Sequence, residues 1–243
     1  MSPPPDLSVV VPARDEEGNI TPLGHEIVET LGARPFEVVF VDDGSSDGTR
    51  EEMLAWARRD PRFRVVTKGP PHGKSSSLLT GFAHARGAVV GTLDGDLQDR
   101  AEDLLRCYET LLADDALDAV NGWRRDRNDS GLKRLSSRIG NGVRRRLLGS
   151  TIRDAGTGVR VLRRRCLPAW LPFEGSHRYF AELMEMAGHR VGEIPIGHRP
   201  RHAGVAKYGV GNRLGRGLAD VLAVRWLKKR AAHPQHEEIE PTP

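Results

Sequence analysis

The chain has 243 residues, 38% apolar and 29% charged, enough to bury the core of one α/β domain and too balanced for a disordered or membrane-embedded chain. No run approaches the ~18 consecutive apolar residues of a membrane-spanning helix, and the opening MSPPPDLSVVVPARDEE lacks the features of a secretory leader, so a cytoplasmic protein with no transmembrane span is expected. The net charge of +4 hides an asymmetry, with 12 Lys and Arg against 22 Asp and Glu over residues 1–118, and 25 against 11 over residues 119–243.

Along the chain, 7–12 (LSVVVP), 36–41 (FEVVFV), 63–66 (FRVV), 88–93 (AVVGTL) and 117–121 (LDAVN) are short, largely apolar, β-branched runs. That pattern predicts strands buried on both faces of a parallel sheet. Helices are expected between them near 17–32, 49–60, 73–86 and 100–113, and the alternation is that of a doubly wound, nucleotide-binding type of domain. After residue 121 the rhythm changes. A basic stretch from Trp123 to Arg146 leads to an expected strand at 158–163, a helix at 177–187 and a strand at 190–196. Residues 122–230 are read as a second lobe of the same domain and 231–243 as a disordered tail. Cys107 and Cys166 stand alone, with no partners at zinc-site spacing, and are expected to be buried, inert thiols.

In doubly wound sheets ligands bind beyond the carboxyl ends of the strands. Three polar segments fall there: PARDEE (12–17), DDGSSDG (42–48) and DGDLQD (94–99). Asp94 and Asp96 flank a glycine directly after a strand, and Gln98 adds an amide oxygen two residues on. Mg²⁺ or Mn²⁺ suits such a set, being held by one or two carboxylates together with phosphate oxygens. The same residues also suit an ordinary turn. Asp47 and Thr49 are expected to cap the next helix; Asp42 and Asp43 exceed that need and are candidates for a base or ribose.

The ordered set PARDEEGNI (12–20), VDDGSSDGT (41–49), Gly73-Lys74 ahead of TGFAHARG (80–87), and TLDGDLQD (92–99) resembles family 2 inverting glycosyltransferases of GT-A fold. The stretches GWRRDRNDSGLKRLSSRIGN (122–141), IRDAGTGVRVLRR (152–164) and HRPRHAGVAKYG (198–209) are similar to the polyprenyl-phosphate branch, which includes dolichol-phosphate mannose synthases and undecaprenyl-phosphate aminoarabinose transferases. The family pattern usually has Asn at Asp15 and often Ser at Ala206.

The resemblance implies transfer of a sugar from a nucleotide-sugar to a polyprenyl phosphate. It places Pro12, Ala13, Arg14, Glu16, Asp42, Asp43, Lys74 and Asp94 on the donor, and Asp94, Asp96 and Gln98 on the metal, Asp96 being essential to catalysis. Arg201 and Lys207 are candidates for the donor phosphates, or else belong to an exposed basic loop. Arg124, Arg134 and Ser137 are expected at the acceptor phosphate, for which guanidinium forks are well matched. Asp154 is a catalytic base, a group that positions the acceptor, or a turn residue before Gly156.

Two basic amphipathic stretches follow. One has Leu132, Leu135, Ile139, Val143 and Leu147, with Lys133, Arg134, Arg138, Arg144 and Arg145 on its flanks. The other has Leu214, Leu218, Val221, Leu222 and Trp226 in one stripe, with Arg213, Arg216, Lys228, Lys229 and Arg230 beside it. Such helices lie on an anionic membrane surface or pack on their own core. Peripheral attachment to the cytoplasmic face of the membrane is expected, or pairing with a separate membrane-embedded protein. A sugar-hydroxyl acceptor in cell-envelope polysaccharide synthesis is the rival within enzymes. A nucleic-acid module is the rival outside them, and a carboxylate-lined crevice with few aromatics at basic positions disfavours it.

Overall fold

The computed structural model describes residues 4–125, 142, 144–150, 152–200 and 211–231, with backbone only at 211–216 and 218. The expected strands form as β1 (Leu7–Ala13), β2 (Phe36–Asp42), β3 (Phe63–Thr67), β4 (Val89–Thr92) and β5 (Ala119–Arg124). Helices α1 (Ile20–Leu31), α2 (Thr49–Arg59), α3 (Lys74–His84) and α4 (Ala101–Ala113) alternate with them. The runs of β2 and β4 are wholly buried and that of β1 nearly so, because helices cover both sides of the sheet, whereas β3 at the sheet edge is buried only at Phe63. Leu23 and Ile27 of α1, Met53 and Trp56 of α2, and Leu104 and Leu111 of α4 share one core; Leu78 and Phe82 of α3 pack on the opposite face with Trp170 and Phe180.

One seven-stranded sheet runs through both halves of the chain in the order β3-β2-β1-β4-β6-β5-β7, where β6 is Arg160–Arg163 and β7 is Val191–Ile196. The sheet is the mostly parallel, doubly wound one expected from the sequence, with one antiparallel strand. Strand β6 lies between β4 and β5, antiparallel to both, while the other pairings are parallel. Being antiparallel, it brings the chain that precedes it, residues 154–159, to the end of the sheet where β1, β2 and β4 finish. The register Thr92↔Arg160 fixes that position.

The helix expected at 177–187 is two elements, a 3₁₀ turn at Ser176–Tyr179 and α5 (Phe180–Met186). Gly175, at φ +89°, starts the turn; a Cβ there would collide with Arg178 and lie 3.2 Å from Asp220. Helix α6 (Gly211–Arg230) packs through Val221 and Val224 on Leu148, Tyr179 and Leu183. This splits the expected apolar stripe, because Val221 faces the core while Leu222 and Trp226 are 51% and 58% exposed. Arg144, expected on a solvent-facing flank, is also corrected. It is buried, pairs with Glu182 and donates to the Ile152 carbonyl at 3.0 Å. Among the described residues no helix is long and apolar enough to cross a membrane.

Candidate active site at the carboxyl end of the sheet

The crevice is built where β4 ends. Thr92 donates from Oγ1 to the Gly158 carbonyl at 2.5 Å, and the Gly158 N–H donates to Asp99 Oδ2 at 3.1 Å. A Cβ on Gly158 would lie 2.5 Å from Asp94 Cγ, so glycine alone lets the 154–159 segment approach the carboxylates. Gly95 plays the same part towards β1, where an added Cβ would lie 2.8 Å from that of Ala13.

Lys74, the first residue of α3, donates to both Asp94 oxygens at 2.5 and 2.7 Å. Burial pushes the Asp94 carboxyl up, but Lys74 and Arg160 outweigh it and hold the group below the usual carboxylate range. Asp99 goes the other way: burial and the neighbouring Asp94 charge raise it against the pull of His198. Asp96 is buried and accepts from the Gln98 N–H at 3.2 Å. Between them Leu97 has φ +59°, a conformation costing roughly 1–3 kcal/mol for a non-glycine residue. Its buried side chain holds the turn that aims Asp96 and Gln98. The Gln98 amide nitrogen points to the Arg199 carbonyl at 3.4 Å.

Arg124 at the end of β5 and Asp154 form a fork, Nε to Oδ2 at 2.7 Å and Nη2 to Oδ1 at 3.1 Å. Burial lowers the Arg124 pKa, and the pairing with Asp154 more than reverses this. Two residues given separate roles by the sequence are thus one ion pair. Beneath them lies Arg160, fully buried, donating to the carbonyls of Ala155 and Thr157 and set against the rings of Trp170 and Phe180. Burial brings its pKa down to about 10, so it stays charged at neutral pH. The sequence reading missed it; an arginine directly before the apolar Val161–Leu162 pair was the available signal.

The donor-side loops are tied together by their own side chains. Asp42, fully buried, accepts from the Ser45 N–H at 2.9 Å and from Arg50 Nε at 2.7 Å. Asp43 accepts from the N–H groups of His72 and Gly73 at 3.0 and 2.8 Å, with Lys68 3.5 Å away. Asp47 accepts from the Thr49 N–H at 3.1 Å, at the start of α2. Pro12 and Ala13 close β1, and the Ala13 carbonyl accepts from the Asp43 N–H at 3.0 Å. Arg14 lies 3.5 Å from Asp15, and the Glu16 N–H donates to Thr49 at 2.7 Å. Asp15 has φ +46°, a conformation that Asn also tolerates, consistent with the Asn usual there. Arg134, Ser137, Arg201 and Lys207 lie outside the described residues, as does most of the first amphipathic stretch.

Both cysteines are buried, and desolvation pushes Cys107 up to about 12 and Cys166 to about 11, as inert thiols should be. At the opposite end of β5, Cys166 comes within 4.8 Å of ligand atoms of Asp118 and His189, a grouping invisible in the spacing. Asp118 is already engaged there by Arg165 at 2.9 Å and by the Arg190 N–H at 3.0 Å.

Residues 8–170 match Glycosyl transferase family 2. The chain is 34% identical over 209 residues to an undecaprenyl-phosphate 4-deoxy-4-formamido-L-arabinose transferase of Edwardsiella ictaluri, covering 84% of this chain and 63% of that protein. It is 29% identical over 237 residues to a dodecaprenyl-phosphate galacturonate synthase of Rhizobium johnstonii, covering 95% and 70%. It therefore spans less than two thirds of the length of the first of these relatives. Among solved structures, glucosyl-3-phosphoglycerate synthase from Mycobacterium tuberculosis with phosphoglyceric acid superposes with TM-score 0.67 at 22% identity, over 94% of this chain and 81% of that one. The same enzyme with Mn²⁺, uridine diphosphate and glucosyl-3-phosphoglycerate superposes at 0.66, with 22% identity and the same coverage. That likeness shows a GT-A fold, and with the match over 8–170 the chain belongs to glycosyl transferase family 2.

Proposed function

We propose that the chain is the catalytic part of a metal-dependent, inverting glycosyltransferase that moves a sugar from a nucleotide-sugar to a polyprenyl phosphate at the cytoplasmic face of a membrane. The observation that carries this reading is the meeting of two charge systems at one sheet end. Asp94 is held by Lys74 of the donor side, with Asp96 two residues on, while Arg124 and Asp154 form their fork at the end of β5. The curated relatives support it by their names, which specify undecaprenyl and dodecaprenyl phosphates.

Asp94, Asp96 and Gln98 offer hard oxygen donors at a strand end, a set that fits Mg²⁺ or Mn²⁺. Such a cation supplies charge neutralisation for a departing nucleoside diphosphate. Pro12, Ala13, Arg14, Glu16, Asp42, Asp43 and Lys74 form the donor side, Asp42 and Asp43 by holding their loops. Arg201 and Lys207 are assigned to the donor phosphates; Arg124, Arg134 and Ser137 are assigned to the acceptor phosphate. A phosphate monoester has its second pKa at about 6 and is already an anion, so it needs little help from a base. Asp154, occupied by the Arg124 fork, acts as the group that orients Arg124. Leu222, Trp226, Lys229 and Arg230 on the outer side of α6 suit an anionic membrane surface, with a membrane-embedded partner as the alternative route to the lipid.

The test is a panel of UDP- and GDP-sugars incubated with undecaprenyl phosphate, with and without Mg²⁺ or Mn²⁺, followed by lipid extraction. Metal-dependent appearance of a lipid-linked sugar is expected, with loss in Asp96→Ala. Transfer to a sugar hydroxyl and none to the lipid would favour the rival reading.

A further inference from the structure

Ser75 and His177 stand 102 positions apart and meet beside the Lys74–Asp94 pair. Ser75, the second residue of α3, is buried. Its Oγ accepts from the Gly175 N–H at 3.0 Å and from the His177 backbone N–H at 3.4 Å, and lies 2.8 Å from His177 Nδ1. A hydroxyl has one proton and two lone pairs. With both lone pairs taken by N–H donors, its proton is what remains for Nδ1, and Nδ1 is the acceptor. A neutral imidazole carries one N–H, which then resides on Nε2.

The ring is held neutral by its surroundings. Burial pushes its pKa well below the usual histidine range, helped by Lys74 from α3, Arg160 from β6 and Arg178 from its own turn, against Asp94 after β4. Nε2 has no hydrogen-bond partner among the described residues, and His177 is half-buried. A nitrogen that already carries its proton cannot accept another, so it is unsuited to general-base work and suited to donating one directional hydrogen bond.

We infer that His177 is a tautomer-locked, neutral Nε2–H donor that binds an oxygen of the sugar-nucleotide, a sugar hydroxyl or a diphosphate oxygen, on the Lys74–Asp94 side of the crevice. The inference rests on the proposed glycosyltransferase reading for its ligand, while the tautomer stands on the Ser75 geometry alone. Ser75 is the positioning residue: it binds nothing itself and sets which nitrogen faces the crevice.

The test has three arms on the full chain. Histidine-selective ¹⁵N NMR of the wild type should show Nε2 protonated and Nδ1 bare across neutral pH, and Ser75→Ala should relax that preference. Binding of UDP with Mg²⁺ to His177→Ala separates the two oxygen sources. Weakened binding assigns the diphosphate, and unchanged binding with a loss in transfer assigns the sugar. In the transfer assay His177→Ala and His177→Asn should lose about tenfold in kcat/KM, a typical cost for one lost hydrogen bond, and His177→Gln, whose amide nitrogen reaches near Nε2, should recover part of it. An Nδ1–H tautomer, a ring that titrates across neutral pH, or wild-type kcat/KM in His177→Ala would overturn the inference. If the wild type transfers no sugar to undecaprenyl phosphate, the functional reading fails instead, and the NMR arm still decides the tautomer.

Discussion

The Asp42 carboxylate has no water to face, yet it stays ionised because Ser45 and Arg50 supply what burial removes. Burial raises its pKa, but the Ser45 and Arg50 contacts outweigh this and leave it below the usual carboxylate value. A carboxyl whose folded pKa lies below its unfolded value near 3.9 adds stability above that pH and loses it as the pH falls through the folded value. Asp42→Asn should therefore destabilise the fold near neutral pH, and the gap to wild type should close in acid; denaturant midpoints measured over a pH series check this. Arg50 lies eight positions on, but the Asp43 partners come from 29 and 30 residues away, and spacing cannot reveal them. This is why the sequence marks both acids as important without revealing which loops they tie together. The Arg124–Asp154 fork is a parallel case. Both residues were singled out, but only the insertion of β6 makes them partners. If Asp154 positions Arg124, Asp154→Asn should raise KM for the lipid phosphate and leave the shape of the kcat pH profile unchanged. Loss of an ionisation from that profile would restore the base.

At the scale of elements, two-sided burial made the parallel strands legible, since runs such as VVV and VVFV have no polar face to offer. The placement of β6 was not legible, because four residues with arginine at each end carry no mark of direction. Helix α6 shows a different limit. A 3.6-residue period finds an apolar sector, but not which part of it meets the core. Val221 and Val224 are 8% and 1% exposed and pack on Leu148 and Leu183, whereas Leu222 looks outward. Val224→Ser should lower the melting temperature, with a cost of about 1–3 kcal/mol for burying a hydroxyl in that cluster. Leu222→Ser with Trp226→Ser should stay within about 0.5 kcal/mol per site, as exposed positions do. Thermal melts of the two variants separate the packed side of the helix from the outward one.

Across the whole molecule, the acidic and basic halves of the sequence are not two separate bodies of charge. Lys74, Arg124 and Arg160 enter the acidic crevice, and Glu182 and Asp220 answer Arg144 and Arg178 in the basic half. Among the described residues, the far side of α6 presents an apolar pair flanked by cations, with Arg230 stacked over Trp226 at 5.2 Å. If that side meets a membrane, its binding has two separable parts. The Coulomb part acts through solvent and is screened with a Debye length of about 10 Å at 0.1 M salt, each basic residue contributing about 1 kcal/mol near an anionic surface. The apolar part comes from shallow insertion of Leu222 and Trp226 and does not weaken with salt. Co-sedimentation with anionic vesicles should therefore fall as salt rises, and the Leu222→Ser, Trp226→Ser variant should bind more weakly at every salt concentration with a similar salt slope. Lys229→Gln with Arg230→Gln should flatten the slope instead. Transfer to a short, water-soluble polyprenyl phosphate should survive in all of these variants, because none touches the crevice. Wild-type protein that ignores anionic vesicles at low salt would point to a membrane-embedded partner as the route to the lipid.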